Sequence, residues 1–126
     1  MCITNFSHLV LQRTTYVYAV RIIMKDGSIK SPFYDMFWEP NVLYKITTGF
    51  FTEYTAFHVL LRKKDARRFV KALLRHAPRS YHGATFFRAM IPKHSCAYKG
   101  ITTRIGVRGC DNLPCMAVNQ LVLLDQ

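Results

Sequence analysis

One stretch of the chain has helical periodicity, and nearly everything around it is patterned for strands. From Lys63 to His76 the apolar residues recur every three or four positions, at Ala66, Phe69, Val70, Leu73 and Leu74. Asp65 near the start and Arg75 with His76 near the end suit the helix dipole, and Pro78 predicts where the helix ends. The pattern predicts one amphipathic helix over residues 63–76.

The segments before and after this helix favour strands. Tyr16–Met24 is rich in β-branched and aromatic residues, and Asp26-Gly27 is typical of a hairpin turn leading to a return strand over 29–34. Further strands are predicted at 42–46, 55–61, 84–91, 96–100, 102–107 and 115–124, with a loop over 47–54. Residues 8–11 are typical of a strand start, but the pattern leaves open whether residues 1–14 are ordered.

The order of these elements is strands, one helix, then more strands, with no repeat or linker to divide the chain. Such an order predicts an α+β fold in which a mostly antiparallel sheet packs on one main helix. The 126 residues are therefore expected to form a single domain over 1–126, a usual domain size.

Positive charge is concentrated in the middle of the chain. Lys and Arg number 18 against 7 Asp and Glu, a net charge of +11. Residues 62–108 hold 13 basic residues and one acid, whereas residues 1–61 carry only +1 and residues 109–126 carry −2. A field this uneven favours an anionic partner, a small phosphorylated ligand such as a nucleotide or a nucleic acid, over a merely solvated surface.

Several classes of protein fit the sequence poorly. No apolar run is long enough to span a bilayer, so we expect no membrane partner. Residues 1–14 lack the features of a signal peptide, so we expect a cytoplasmic protein with reduced thiols; whether that cytoplasm is a cell's own or a phage host's stays open. No phosphate-binding glycine-rich loop occurs, and carboxylates are scarce, so we expect neither a cofactor nor an enzyme.

A zinc site and a cysteine nucleophile are the chemical alternatives. The ligand types for zinc cluster within 22 residues, at His94, Cys96, Cys110 and Cys115. Their spacing is unusual, because Cys-x4-Cys is wider than a closed knuckle and a His-x-Cys pair on a strand points its side chains apart. Free thiols are therefore favoured over a metal, and no local motif pairs a cysteine with a histidine for catalysis.

Two sets of basic residues are candidates for an anionic partner. The first is a cationic ridge on the outer face of the predicted helix, formed by Lys64, Arg67, Arg68, Lys71 and Arg75. The second lies on predicted strands and combines cations with platforms for stacking: Arg88, Lys99, Arg104 and Arg108 with Phe57, His58 and Tyr98. Arg104 and Arg108 are an even number of residues apart, so on one regular strand both side chains would lie on the same face of the sheet and could bind one phosphate.

A series of short motifs resembles a known group. They are Tyr18-Ala19-Val20, Asp26-Gly27, Ser31-Pro32, Trp38 with Tyr44-Lys45, Ala56-Phe57-His58-Val59, Asp65-Ala66, Met90-Ile91-Pro92 and Ala117-Val118 with Leu121-Val122. In this order they resemble small phage and prophage proteins of largely unknown function, although Ala56 stands where that pattern has glycine. The series is also loosely similar to the Thoeris anti-defence sponge proteins of phages. That resemblance implies sequestration of a cyclic nucleotide signal without cleavage.

The sequence therefore favours a binding protein that captures an anionic nucleotide-type ligand without turnover. The alternative is an inhibitor that uses the helix 63–76 to contact nucleic acid or an acidic protein, and a nucleotide-acting enzyme comes third. The apolar pair Phe50-Phe51 beside Gly49 is either core or a contact of a homo-oligomer.

Overall fold

In the computed structural model, the described residues are 2–32, 36–52, 55–75, 81–103 and 109–124. They form ten strands, one α-helix and a short 3-10 helix at Thr48–Phe50. The strands are β1 Cys2–Val10, β2 Thr15–Met24, β3 Ile29–Lys30, β4 Phe37–Trp38, β5 Leu43–Lys45, β6 Phe57–Leu60, β7 Tyr81–Ile91, β8 Cys96–Thr103, β9 Pro114–Val118 and β10 Gln120–Leu123. The helix α1 spans Lys63–Arg75. The predicted α+β class is confirmed.

All described strand pairs are antiparallel, and the main sheet runs in the order β1-β8-β9-β6-β2-β7-β10-β5. The β2–β3 hairpin turns at the predicted Asp26-Gly27 pair, where Gly27 has a positive φ of 87°. Strand β1 begins at Cys2, well before the apolar run that the sequence marked as a strand start. The return strand β3 is shorter than predicted and ends at Lys30.

The chain moves from one part of the sheet to another at Asn119. Strands β9 and β10 are joined by this residue alone, yet β6, β2 and β7 lie between them in the sheet order. The predicted single strand over 115–124 is therefore wrong. The strand is interrupted at the buried Asn119, because its side-chain Oδ1 accepts from the Cys96 amide at 3.0 Å and its carbonyl oxygen accepts from the Ile46 amide at 2.8 Å. The two short strands predicted around Gly100 are one strand, β8, and residues 104–107 lie outside the described residues.

Two apolar clusters pack on the two faces of the sheet. One lies on the face of the sheet away from α1 and includes Val17, Trp38, Phe57 and Val118. The other lies between the outer face of the sheet and α1 and is built around Phe69.

Helix α1 packs on β7, β2 and β6. Its buried face carries Ala66, Phe69 and Ala72, whereas Leu74, which the sequence included in the apolar stripe, is 47% exposed. Successive residues are rotated by about 100° around the helix axis, which places Leu74 on the flank of that face. No helix in the described part of the chain has the length and apolar character needed to cross a bilayer.

Gly100 allows β1 to cross close over β8. A Cβ atom at this position would lie 2.5 Å from the Thr4 carbonyl oxygen and 3.0 Å from the Phe6 Cβ. We expect Gly100→Ala to lower the free energy of unfolding by about 1–3 kcal/mol, because backbone atoms must shift to admit the methyl group. Gly83→Ala on β7 is the matched control, since no atom lies within 4 Å of its added Cβ. Urea unfolding of both variants measures the difference, and equal midpoints would contradict the close crossing.

Candidate anion-binding cavity

Strands β2 and β6 separate after a single residue pair, Tyr18 with Leu60. Continued pairing would place Arg21 opposite Phe57, but β2 and β6 form no further pair among the described residues, whereas the other edge of β6 pairs along its whole length with β9. A cavity of about 480 Å³ lies where the pairing stops, and residues of both strands line it. Small-molecule sites have volumes of roughly 300–1,000 Å³, so the gap in the sheet is large enough for a ligand.

The walls of this cavity are mainly apolar and aromatic. The described residues that form them include Met36, Trp38, Ile46, Phe50, Phe57 and Phe69. Phe69 comes from α1, so the helix closes one side of the cavity. Apolar walls with a few polar groups are typical of sites for small organic molecules.

Arg21 is the main polar feature of the cavity. It lies on the same face of β2 as Val17 and Ala19, which belong to the apolar cluster of Trp38 and Phe57, and only 4% of it is exposed. Its Nη1 donates to the Val20 carbonyl oxygen at 2.8 Å, and its Cζ lies 4.5 Å from the Trp38 ring centroid.

No counter-charge for Arg21 lies among the described residues. Its Nε has no hydrogen-bond partner there, and no described carboxylate forms an ion pair with it. Burial therefore lowers the pKa of the Arg21 guanidinium to about 9. Burying a charge without a partner costs free energy, so this arrangement favours the binding of an anion.

Trp38 is held in place beneath the guanidinium. Its Nε1 donates to the Oγ of the buried Ser31 at 2.8 Å, and its ring packs edge-to-face on Phe57 with centroids 5.1 Å apart. The strand pair β3–β4 sets this geometry, because Trp38 lies opposite Ile29. The indole thus covers one face of the Arg21 guanidinium.

Other polar groups lie on the cavity wall. His58 is 8% exposed, whereas Lys45 and Thr55 are exposed. A ligand whose anionic group reaches Arg21 would therefore find a second cation, Lys45, toward solvent.

The structure distributes the sequence-predicted ligand residues over several places. Phe57 and His58 line the cavity. Tyr98 and His58 both pair with Ala117 of β9, one from each side, so the two side chains lie on the same face of the sheet with β9 between their strands. The Tyr98 ring packs against Phe6, His8 and Phe51 at centroid distances of 5.2, 5.0 and 5.1 Å. Tyr98 is therefore part of an aromatic cluster rather than of the cavity wall.

The predicted cations on strands do not converge on the cavity within the described chain. Lys99 is exposed on the sheet face opposite Tyr98, because successive strand residues alternate. Arg88 is exposed, and its Cζ lies 4.4 Å from the Tyr16 ring centroid. Arg104 and Arg108 lie outside the described residues.

Sequence reasoning missed Arg21 and Trp38 as site residues. The available signal was parity: Arg21 is the one charged residue in the run Tyr16–Met24, and it shares its side of the strand with Val17 and Ala19. A cation at an interior-facing strand position is unusual enough to indicate a function.

The cationic ridge on α1 is present as a surface feature. All five of its residues are exposed, and none forms an ion pair with a described residue. The one described helix acid, Asp65, is buried and pairs with Arg62 Nε at 2.6 Å, outside the ridge.

Three of the four cysteines, Cys96, Cys110 and Cys115, are placed as free thiols. Cys110 and Cys115 are buried and Cys96 is partly buried, whereas His94 is exposed. Burial raises the pKa of Cys110, and it raises that of Cys115 to about 12, so both thiols stay protonated and weakly nucleophilic at neutral pH. Within the described residues, no three His, Cys, Asp or Glu side chains form a group that could hold a metal.

Comparison with known proteins adds no relative. No family model matches the chain, and neither a curated protein nor a solved structure matches it.

Proposed function

We propose that this protein captures a small organic anion of the nucleotide type in the cavity between β2 and β6, without transforming it. The observation that carries the proposal is Arg21, a buried guanidinium without a counter-charge in the described chain. An anionic group bound there would accept hydrogen bonds from Arg21 and neutralise it, which is the strong, charge-assisted form of this interaction.

The shape of the cavity supports a ligand with a flat apolar part. Trp38, Phe57 and Phe69 offer aromatic surface beside the guanidinium. A nucleotide matches this arrangement, because its base can pack on aromatic rings while its phosphate reaches a cation.

The resemblance to phage sponge proteins extends this proposal to a biological role. A phage-encoded protein with such a cavity would act in the host cytoplasm by sequestering a nucleotide signal. Phe50 is 74% exposed at the cavity wall, which is a surface that a second copy of the chain would cover in a homo-oligomer.

Ligand binding by Arg21→Met tests the proposal. We expect the wild-type protein to bind at least one member of a panel of mononucleotides, cyclic nucleotides and cyclic dinucleotides with saturable stoichiometry. Arg21→Met should weaken that binding at least about 100-fold, because the anion then enters the cavity without its partner. Isothermal titration calorimetry measures both affinities, and mass spectrometry of denatured protein identifies any ligand that copurifies.

Arg13→Met is the matched control, because Arg13 is exposed in the turn between β1 and β2, outside the cavity wall. It removes the same charge and should leave the affinity unchanged. Equal affinity of Arg21→Met and wild type for every bound nucleotide would contradict the proposal.

A further inference from the structure

The outer face of α1 carries five of the six cations of the helix in one straight stripe. Relative to Lys64, the others follow at i+3, i+4, i+7 and i+11, at Arg67, Arg68, Lys71 and Arg75. A turn of 3.6 residues places all of them within about 100° of one another around the axis, over a length of about 16 Å. The buried residues Ala66 and Phe69 lie on the opposite side, so the sheet holds the stripe toward solvent.

The stripe has no paired acid among the described residues and lies on a helix packed against the sheet. None of its five side chains forms an ion pair with a described residue, whereas Arg62, just before the start of α1, is paired with Asp65. Because α1 packs on three strands, the cations are held on a fixed frame rather than on a loop.

We propose that the cationic ridge is a docking surface for the phosphate backbone of a nucleic-acid duplex, read without regard to base sequence. This inference is independent of the anion-binding cavity, which lies on the other side of α1. A duplex presents a dense, regular array of negative charge, roughly one per 1.7 Å of its axis, so a straight row of cations can engage several phosphates at once.

The composition of the ridge favours a duplex over other anionic partners. Protein interfaces centre on aromatic or apolar anchors, and single-stranded nucleic acids require aromatic stacking platforms; the ridge residues are Lys and Arg only. A membrane-surface helix needs a free apolar face, but that face of α1 is buried against the sheet. Leu74, on the flank, is the one described large apolar side chain of α1 that is exposed.

The test compares two triple variants with the same loss of charge. Lys64→Gln/Arg67→Gln/Lys71→Gln removes three of the five ridge cations, and Arg13→Gln/Lys25→Gln/Lys93→Gln removes three exposed cations elsewhere on the described surface. The binding of a labelled random-sequence duplex of about 20 base pairs is followed by fluorescence anisotropy at several salt concentrations. Thermal unfolding checks that both variants remain folded.

We expect the ridge variant to lose at least tenfold in duplex affinity at low salt. The slope of log K against log salt should become shallower by about 2.7, which is about 0.9 for each cation removed. The control variant should change the slope by less than about 1. Arg21→Met should bind the duplex as the wild type does, so failure of the cavity proposal and failure of this one give different results.

Three outcomes would overturn the inference. Equal losses in the ridge and control variants would show a general effect of net charge. A single strand bound more tightly than the duplex would contradict a rigid phosphate array as the target. Finally, a ridge variant that keeps duplex binding but loses binding to anionic vesicles or to a poly-glutamate peptide would assign the ridge to another class of partner.

Discussion

Arg21→Met is expected to raise the free energy of unfolding of the ligand-free protein by about 1–2 kcal/mol while abolishing anion capture. Removing the buried charge relieves a desolvation penalty of several kcal/mol. The variant also loses two stabilising contributions. These are the hydrogen bond to the Val20 carbonyl, about 1.5–3 kcal/mol, and the contact with the Trp38 ring, up to about 2 kcal/mol. Methionine fills a similar volume, so packing should change little.

The pH dependence of this difference follows from the pKa of Arg21. Burial lowers that pKa to about 9 from 12.5, so in this range the unfolded chain binds more protons than the folded one. The penalty is fully present below about pH 9 and fades as the pH rises toward 12.5. The stability advantage of Arg21→Met over wild type should therefore be larger at pH 8 than at pH 10.5.

Urea unfolding at both pH values measures the stabilities of the two proteins. A methionine variant that is less stable than wild type at pH 8 would show that Arg21 serves the fold rather than a ligand. Stabilisation combined with lost binding is the signature of a functional site, because binding residues are commonly retained at the expense of stability.

Local pattern was sufficient to predict the fold class and most elements. The period of Ala66 and Phe69 and the turn at Asp26-Gly27 depend on neighbours within a few residues, and both appear in the structure as predicted. The break at Asn119 could not be predicted in this way. It depends on which strands pair on either side of β9 and β10, and those partners are distant in sequence.

The cavity could not be predicted from the sequence for a similar reason. The gap arises because the pairing of β2 with β6 stops after one residue pair, and no local signal near Arg21 predicts where that pairing stops. Grouping Arg88, Lys99 and Tyr98 relied on closeness in sequence. Alternation along each strand and the order of the strands determine which of these residues share a face.

Phe69→Ala is expected to lower the free energy of unfolding by about 3–5 kcal/mol. The ring is 1% exposed, packs in the cluster that joins α1 to the sheet, and forms part of the cavity wall. Its removal loses buried apolar area and merges new empty space with the existing cavity, where little can collapse to fill it. Domains of this size are stable by only about 5–15 kcal/mol, so the variant should be close to unfolding.

Leu74→Ala is the control for this effect, because it shortens an apolar side chain of the same helix that is 47% exposed. It should change stability by less than about 1 kcal/mol. Thermal and urea unfolding give both values, and Phe69→Leu provides a folded variant with a smaller loss for ligand binding. If Phe69→Ala instead matched Leu74→Ala, contacts other than this ring would hold α1 against the sheet. Phe69→Leu should alter nucleotide affinity but leave duplex binding intact, because the side chain meets the cavity and the ridge lies on the far side of the same helix.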